Sequence, residues 1–139
     1  MASTTFTCAI ASSTAPGKLH VYGDTTVHGS LETTVSYSIT DTVLLKKVSA
    51  GEVIDEIRLI SGGHPAGGQL KVNIGDSVDP DRYADSLSLL NDVMYHGVNV
   101  ATGINYTYTA DDILRMTFDT AQSLTATSTL KFIVRSHKA

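Results

Sequence analysis

Apolar and polar residues alternate along most of this 139-residue chain, and the alternation has a period of two. Successive side chains of an extended strand point to opposite faces, so this period predicts strands with one buried face. In "ETTVSYSIT", Val35, Tyr37 and Ile39 fall on one face and Thr34, Ser36 and Ser38 on the other. "DTVLLKKVSAG" follows, closed by Ser49-Ala50-Gly51. "EVIDEIRLISGG" sets Ile57 and Leu59 against Glu56, Arg58 and Ile60, and "GGQLKVNIGD" sets Leu70, Val72 and Ile74 against Gln69, Lys71 and Asn73. These last two, joined across "SGGHPAGGQ", predict a hairpin with a wide glycine-rich loop. Towards the C-terminus "GINYTYTAD" aligns Ile104, Tyr106 and Tyr108, "DILRMTFDT" aligns Leu114, Met116 and Phe118, and "STLKFIVRS" aligns Leu130, Phe132 and Val134.

One segment departs from this period. "DPDRYADSLSLLNDVMY" spaces Tyr83, Leu87 and Leu90 as neighbours on a helix face. Asp79 is placed to act as N-cap, and Pro80 suits a first turn. A short helical insertion ending before Gly97 is therefore predicted. Many short strands divided by turn signals, with one helical insertion, predict an all-β fold: an antiparallel β-sandwich of jelly-roll type.

The first 30 residues read differently. "TTFTCAIA" alternates Phe6, Cys8 and Ile10 with Thr5, Thr7 and Ala9, and Pro16-Gly17 then breaks the pattern. "LHVYGDTTVHGS" is a second extended piece with turn-prone Gly23-Asp24 and His28-Gly29-Ser30. Large apolar residues are too few here for an independent core. Outer strands of the sandwich and an extended arm on a neighbouring subunit are the competing readings, and the arm is preferred. It divides the chain into an arm over 1–30 and a sandwich domain over 31–139, with Phe6, Ile10, Leu19, Val21 and Val27 as interface candidates.

Composition narrows the function. Hydrophobic residues make up 42% of the chain and charged residues only 17%, so Ser, Thr, Asn and Gly must supply much of the polar surface. A net charge of −4 without a Lys/Arg cluster offers no attraction to a phosphate backbone, so no nucleic-acid partner is expected. Cys8 is the single cysteine, which excludes an internal disulfide and a cysteine zinc site. The N-terminus lacks a basic n-region and no run is long enough to span a bilayer, so a soluble chain made in the cytosol and without a membrane partner is expected.

The stretch richest in candidate chemistry is "NIGDSVDPDRYADSL", with Asp76, Asp79, Asp81 and Asp85 beside Arg82 and Tyr83. Asp76, Asp79 and Asp81 partly match an acidic calcium loop, but the loop glycine and the closing bidentate Glu are missing. The architectural reading accounts for more residues: Asp76 in an Asx-turn, Asp79 as a cap, the other carboxylates near a helix start, Arg82 paired with one of them. For catalysis the signals are absent. His20, His28, His64, His96 and His137 are scattered, and no G-x-S-x-G elbow or phosphate-binding loop occurs. Neither catalytic residues nor a cofactor are expected. Glycan binding needs exposed aromatic platforms; Trp is absent, and Tyr106 and Tyr108 on one strand face suit a core at least as well.

From "DTVLLKKVSAGEVIDEIRLI" to the C-terminus the chain resembles small virion proteins of tailed bacteriophages. The likeness rests on "KVSAGEVI" (47–54), "VNIGDSVDPDRY" (72–83), "YTADD" (108–112) and the final "TLKFIVRS". In that family a core strand, G-D-x-x-D-x-D-R-[FY], a long loop and Y-T-x-x-D build a sandwich that coats or projects from the particle. The resemblance implies a structural role in the virion, foremost a capsid decoration or cement protein. Its implied partners are the major capsid protein and further copies of itself, in a homo-oligomer for which a trimer is one option. A carbohydrate-binding or adhesin module of a fibre or tail is the alternative.

Overall fold

Alternation of the kind read above produces nine strands among the residues that the computed structural model describes, which are 5–7, 24–33, 35–63, 70–89, 94–96, 100–121 and 127–139. In chain order they are β1 (Thr5–Thr7), β2 (Asp24–Thr33), β3 (Thr42–Val48), β4 (Glu52–Gly62), β5 (Leu70–Gly75), β6 (Ala84–Leu89), β7 (Met94–His96), β8 (Asp112–Phe118) and β9 (Ser128–Lys138). Five form one sheet in the order β1-β3-β8-β5-β6, and four form a second in the order β2-β9-β4-β7. Neighbours are antiparallel except that β1 runs parallel to β3. Among the described residues the one helical element is a 3₁₀ turn over Ala101–Gly103.

The core lies between the sheets. Val43, Leu45, Leu70, Val72, Ile74, Leu114, Met116 and Phe118 from the first sheet meet Ile54, Ile57, Leu59, Leu130, Phe132 and Val134 from the second. The register expected for Leu114, Met116 and Phe118, and for Leu130, Phe132 and Val134, is the one observed, with Lys131 and Arg135 exposed on the opposite face. Tyr37 closes one end of the core. Its ring stacks on Phe118 at 4.2 Å, and its buried hydroxyl lies 3.1 Å from Ser128 Oγ.

Several expectations are corrected. Residues 84–89, assigned above to the helical insertion, are strand β6, paired with β5 from Leu70–Leu89 to Ile74–Ala84. Tertiary pairing overrides a local helical spacing whose propensity is worth only tenths of a kcal/mol per residue. Leu90 lies outside the described residues. The proposed β4–β5 hairpin does not form, because the two strands belong to opposite sheets and the connection crosses between them. Val35 and Ile39 do not share the buried face of Tyr37; they stand 56% and 58% exposed beyond the end of β2. Likewise Ile104 is exposed, residues 104–105 form a turn, and Thr107 makes an isolated bridge to Val53 in place of a strand.

Residue 30 falls inside β2, which pairs with β9 at every position from Asp24–His137 to Thr33–Ser128. Thr5–Thr7, including Phe6, pair with Thr42–Leu44 of the same chain, and Val27 is buried opposite Val134. Ile10, Leu19 and Val21 lie outside the described residues. The expected turn at His28-Gly29-Ser30 is continuous strand, and Gly29 serves packing instead. A Cβ there would come within 2.2 Å of the Phe132 ring, which fills the space a side chain would take.

Phe132 is therefore a sensitive position. Phe132→Ala is expected to cost roughly 3 to 5 kcal/mol in denaturant unfolding, whereas Lys131→Ala on the exposed face should stay within about 0.5 kcal/mol. Equal tolerance at both positions would show the face assignment to be wrong.

Candidate functional site

Strand β5 ends at Gly75, and the chain turns back sharply enough to lay the Asp79 carbonyl on it. A Cβ on residue 75 would stand 2.1 Å from that oxygen and 2.4 Å from the Pro80 carbonyl carbon, so only glycine fits. The turn is held from within by Asp76, whose side chain is 1% exposed. Its Oδ1 accepts from the amides of Val78 (3.0 Å) and Asp79 (2.9 Å), the Asx-turn anticipated for this residue. The Asp79 carbonyl accepts in return from the Asp76 and Arg82 amides. Asp79 thus shapes a turn and caps no helix.

The second carboxylate oxygen faces inward. Asp76 Oδ2 accepts from Arg82 Nε at 2.6 Å and from the Tyr108 hydroxyl at 3.0 Å, while the Tyr83 hydroxyl donates to the Tyr108 oxygen at 2.9 Å. The Arg82 guanidinium lies 3.6 Å from the centre of the Tyr106 ring, which packs edge-on against Tyr108 at 5.1 Å. A buried carboxylate is costly unless its lone pairs are met and its charge is paired. Here five hydrogen bonds, two of them from the Arg82 cation, meet both conditions. Two segments distant in sequence, the 75–83 turn and the 106–108 turn, are locked together by it. Thr102 Oγ1 adds a 3.4 Å bond to the Arg82 carbonyl.

The electrostatics follow from this closure. Burial alone would raise the Asp76 carboxyl, but the Arg82 bond, the Asp79 amide and the Tyr108 hydroxyl outweigh it and hold the group below its ordinary value. Burial pushes the Tyr83 phenol up to about 12, and Tyr108 is raised as well, by burial first and then by Tyr83 and Asp76. Both phenols stay protonated at neutral pH and serve as hydrogen-bond donors. The hydrogen bond and charge of Asp79 raise the half-buried Asp81 carboxyl.

The same end of the sandwich is tied further. Ser77 Oγ donates to Asp112 at 2.8 Å, the Ala50 amide to Asp111 at 3.0 Å, and the Gly51 amide to the Tyr108 carbonyl at 2.7 Å. Beside them the buried pair Lys46–Glu52 spans the β3–β4 turn, with Lys46 Nζ also on the Lys47 carbonyl at 2.9 Å. "KVSAGEVI", "GDSVDPDRY" and "YTADD", quoted separately in the sequence, thus meet at one pole.

As a cation site the three acidic candidates separate. Asp76 spends its oxygens on protein donors, Asp79 lies 3.7 Å from Arg82, and the half-buried Asp81 carboxyl is hydrogen-bonded to Asp79. Among the described residues no three His, Cys, Asp or Glu side chains are grouped to hold a metal. Sequence reasoning named Asp76 and Arg82 but missed Tyr108 as their partner. Its alternation with Tyr106 suggested a strand, and the signal that would have found it was the pairing of the two motifs. No helix of the described residues is long and apolar enough to cross a membrane.

No protein-family model matches the chain, and neither does any curated protein. Among solved structures the fold recurs in a chain of the cyanophage Pam1 capsid asymmetric unit, with a TM-score of 0.68 and 18% identity over 94% of this chain and 96% of that one. It recurs in the capsid of Ralstonia phage GP4, with a TM-score of 0.66 and 10% identity over 97% and 98%. A chain of the acid-stable capsid of Helicobacter pylori bacteriophage KHP30 is more distant, with a TM-score of 0.50 and 14% identity over 80% and 91%. At these identities the likeness is one of fold.

The buried network makes a definite stability prediction. Asp76→Asn, which leaves the Arg82 cation buried without its counter-charge, is expected to cost about 3 to 5 kcal/mol, while Asp81→Asn should leave the unfolding midpoint in place. A carboxyl whose folded pKa lies below its unfolded value stabilises the fold above the unfolded pKa, and loses that contribution as pH falls through the folded one. Asp76 is lowered, so its contribution is expected to vanish only below about pH 4. The wild-type minus Asp76→Asn difference, measured by denaturant unfolding, should shrink in that range and stay flat from pH 5 to pH 8. Excess chelator should leave the midpoint unchanged; a fall that calcium restores would establish a cation site.

Proposed function

We propose that this chain is a structural protein of a tailed-phage virion, and more narrowly a decoration or cement protein that binds the assembled capsid shell and stabilises it. The carrying observation is the near-complete mutual coverage with chains of two phage capsid structures, 94% against 96% and 97% against 98%. Those chains are about as long as this one, so the whole sandwich is the shared unit. The strand orders support the jelly-roll reading. Apart from β1, eight strands divide four and four as β2-β9-β4-β7 and β3-β8-β5-β6, so that early strands lie beside late ones as in a double Greek key.

The polar pole fits such a role. Its tyrosines, arginine and carboxylates are satisfied by one another, which makes a rigid end and leaves the network without a free group for catalysis. In this reading the protein acts by binding and needs no cofactor. Val78 at the tip of the turn is 80% exposed, and Ile104 is exposed on the adjoining loop; both are available for contact with the major capsid protein or another copy. The adhesin alternative loses its aromatic platform among the described residues, since Tyr37, Tyr83 and Tyr108 are buried and Tyr106 lies against Arg82.

Purified protein added to capsids that lack it should co-sediment with them saturably, in a fixed ratio to the major capsid protein. It should raise the temperature at which the shell opens. A ligand of the assembled state at about 100 times its Kd stabilises each site by about 2.7 kcal/mol. Absence of binding to shells, together with saturable binding on a glycan panel, would replace this reading with the adhesin.

A further inference from the structure

A sheet edge carries unpaired amides and carbonyls, and folded proteins ordinarily blunt it by shortness, bulges, charge or proline. Three of the four edges here are blunted. Strand β1 is three residues long, and so is β7. Strand β6 has a register shift against β5, and Ser86 in it adopts a φ of 52°. Strand β2 is the exception. It is ten residues long, keeps one register with β9 throughout, contains no proline, lysine or arginine, and carries its two acids, Asp24 and Glu32, towards its ends. Among the described residues no strand pairs with its outer edge.

We propose that β2 is a homotypic interface: two copies of the chain pair β2 antiparallel about a two-fold axis at Gly29, joining two four-stranded sheets into one of eight strands. The inference goes beyond the capsid reading and stands without it. Its register comes from the strand itself. Thr26, His28, Ser30 and Glu32 are exposed, whereas Val27 is buried and Gly29, Leu31 and Thr33 are half-buried. An axis at Gly29 sets Val27 opposite Leu31, His28 opposite Ser30, Thr26 opposite Glu32 and residue 25 opposite residue 33. All inward residues then remain on the core face, as strand parity requires.

Other axes are worse. Centring on His28 opposes two acids, Asp24 and Glu32, and centring on Ser30 shortens the ladder to residues 27–33. At Gly29 the ladder runs over 25–33 without a like-charge pair. The half-buried Leu31 gains an apolar neighbour at the margin of the core. Because the contact is isologous it closes as a dimer, which explains how an unblunted edge avoids open-ended association.

The test uses the full-length protein. Sedimentation equilibrium should show a dimer for the wild type. His28→Glu combined with Ser30→Glu places acids opposite each other across the axis while both positions remain exposed in the single chain, and Ser30 lies beside Lys131. That variant should dissociate with a Kd raised roughly tenfold or more, with its unfolding midpoint at high dilution unchanged. On a Cys8→Ser background, a mixture of His28→Cys and Ser30→Cys proteins should oxidise to the mixed disulfide in preference to either homodimer. A wild type that stays monomeric with β2 amides protected from hydrogen exchange would assign the edge to this chain's own residues and overturn the proposal. A dimer indifferent to the paired glutamates would overturn it equally, by placing the interface elsewhere. Neither result bears on binding to shells, which is read separately by co-sedimentation.

Discussion

Everything at the polar pole depends on burying one carboxylate. Asp76 is shut away at the end of β5, and a charge in that position is tolerated only if donors surround it. Two come from the backbone of its own turn, two from Arg82 and one from Tyr108. Each donor in turn fixes something else. The amides set the turn, Arg82 lies against Tyr106, and Tyr108 holds Tyr83. Hydrogen-bonded groups in a low-dielectric setting reinforce one another, and a half-satisfied version would be worse than an apolar core. The pole therefore forms as a unit.

This constraint explains why residues that look chemical are architectural. Clustered aspartates, an arginine and three tyrosines are the raw material of an active site or a sugar platform. Here the inward polar atoms of Asp76, Arg82, Tyr83 and Tyr108 meet one another, and burial drives the Tyr83 and Tyr108 phenols towards permanent protonation. What remains outside is an acidic, partly apolar rim of turn residues such as Asp81 and Val78.

Between the sheets a different principle operates. Gly29 has no side chain because the Phe132 ring occupies its place, and Gly75 has none because the Asp79 carbonyl does. Both positions record a close approach between segments far apart in the chain or folded back on themselves. The same sheet that needs Gly29 inside presents β2 at its margin, so core packing and the proposed self-pairing share one residue. Stability and assembly are thereby coupled through a single strand.

The sequence by itself determined the local facts. Parity along Leu114–Phe118, Leu130–Val134 and Leu70–Ile74 depends only on successive residues of an extended chain pointing to opposite faces, and it named the buried side correctly in each case. The Asx-turn at Asp76 is local in the same sense. Partners were another matter. Parity says nothing about which strand lies beside which, so β4 and β5 were joined as a hairpin though they lie in opposite sheets. Helical spacing of Tyr83, Leu87 and Leu90 was a weak preference that pairing with β5 overrode. The His28-Gly29-Ser30 turn was inferred from a glycine whose purpose was Phe132, more than a hundred residues away. Tyr108 was assigned to a strand because nothing near it in sequence points to Asp76. Only the tertiary structure decided these, since backbone pairing and the burial of a charge are satisfied by whatever donors the whole fold brings together.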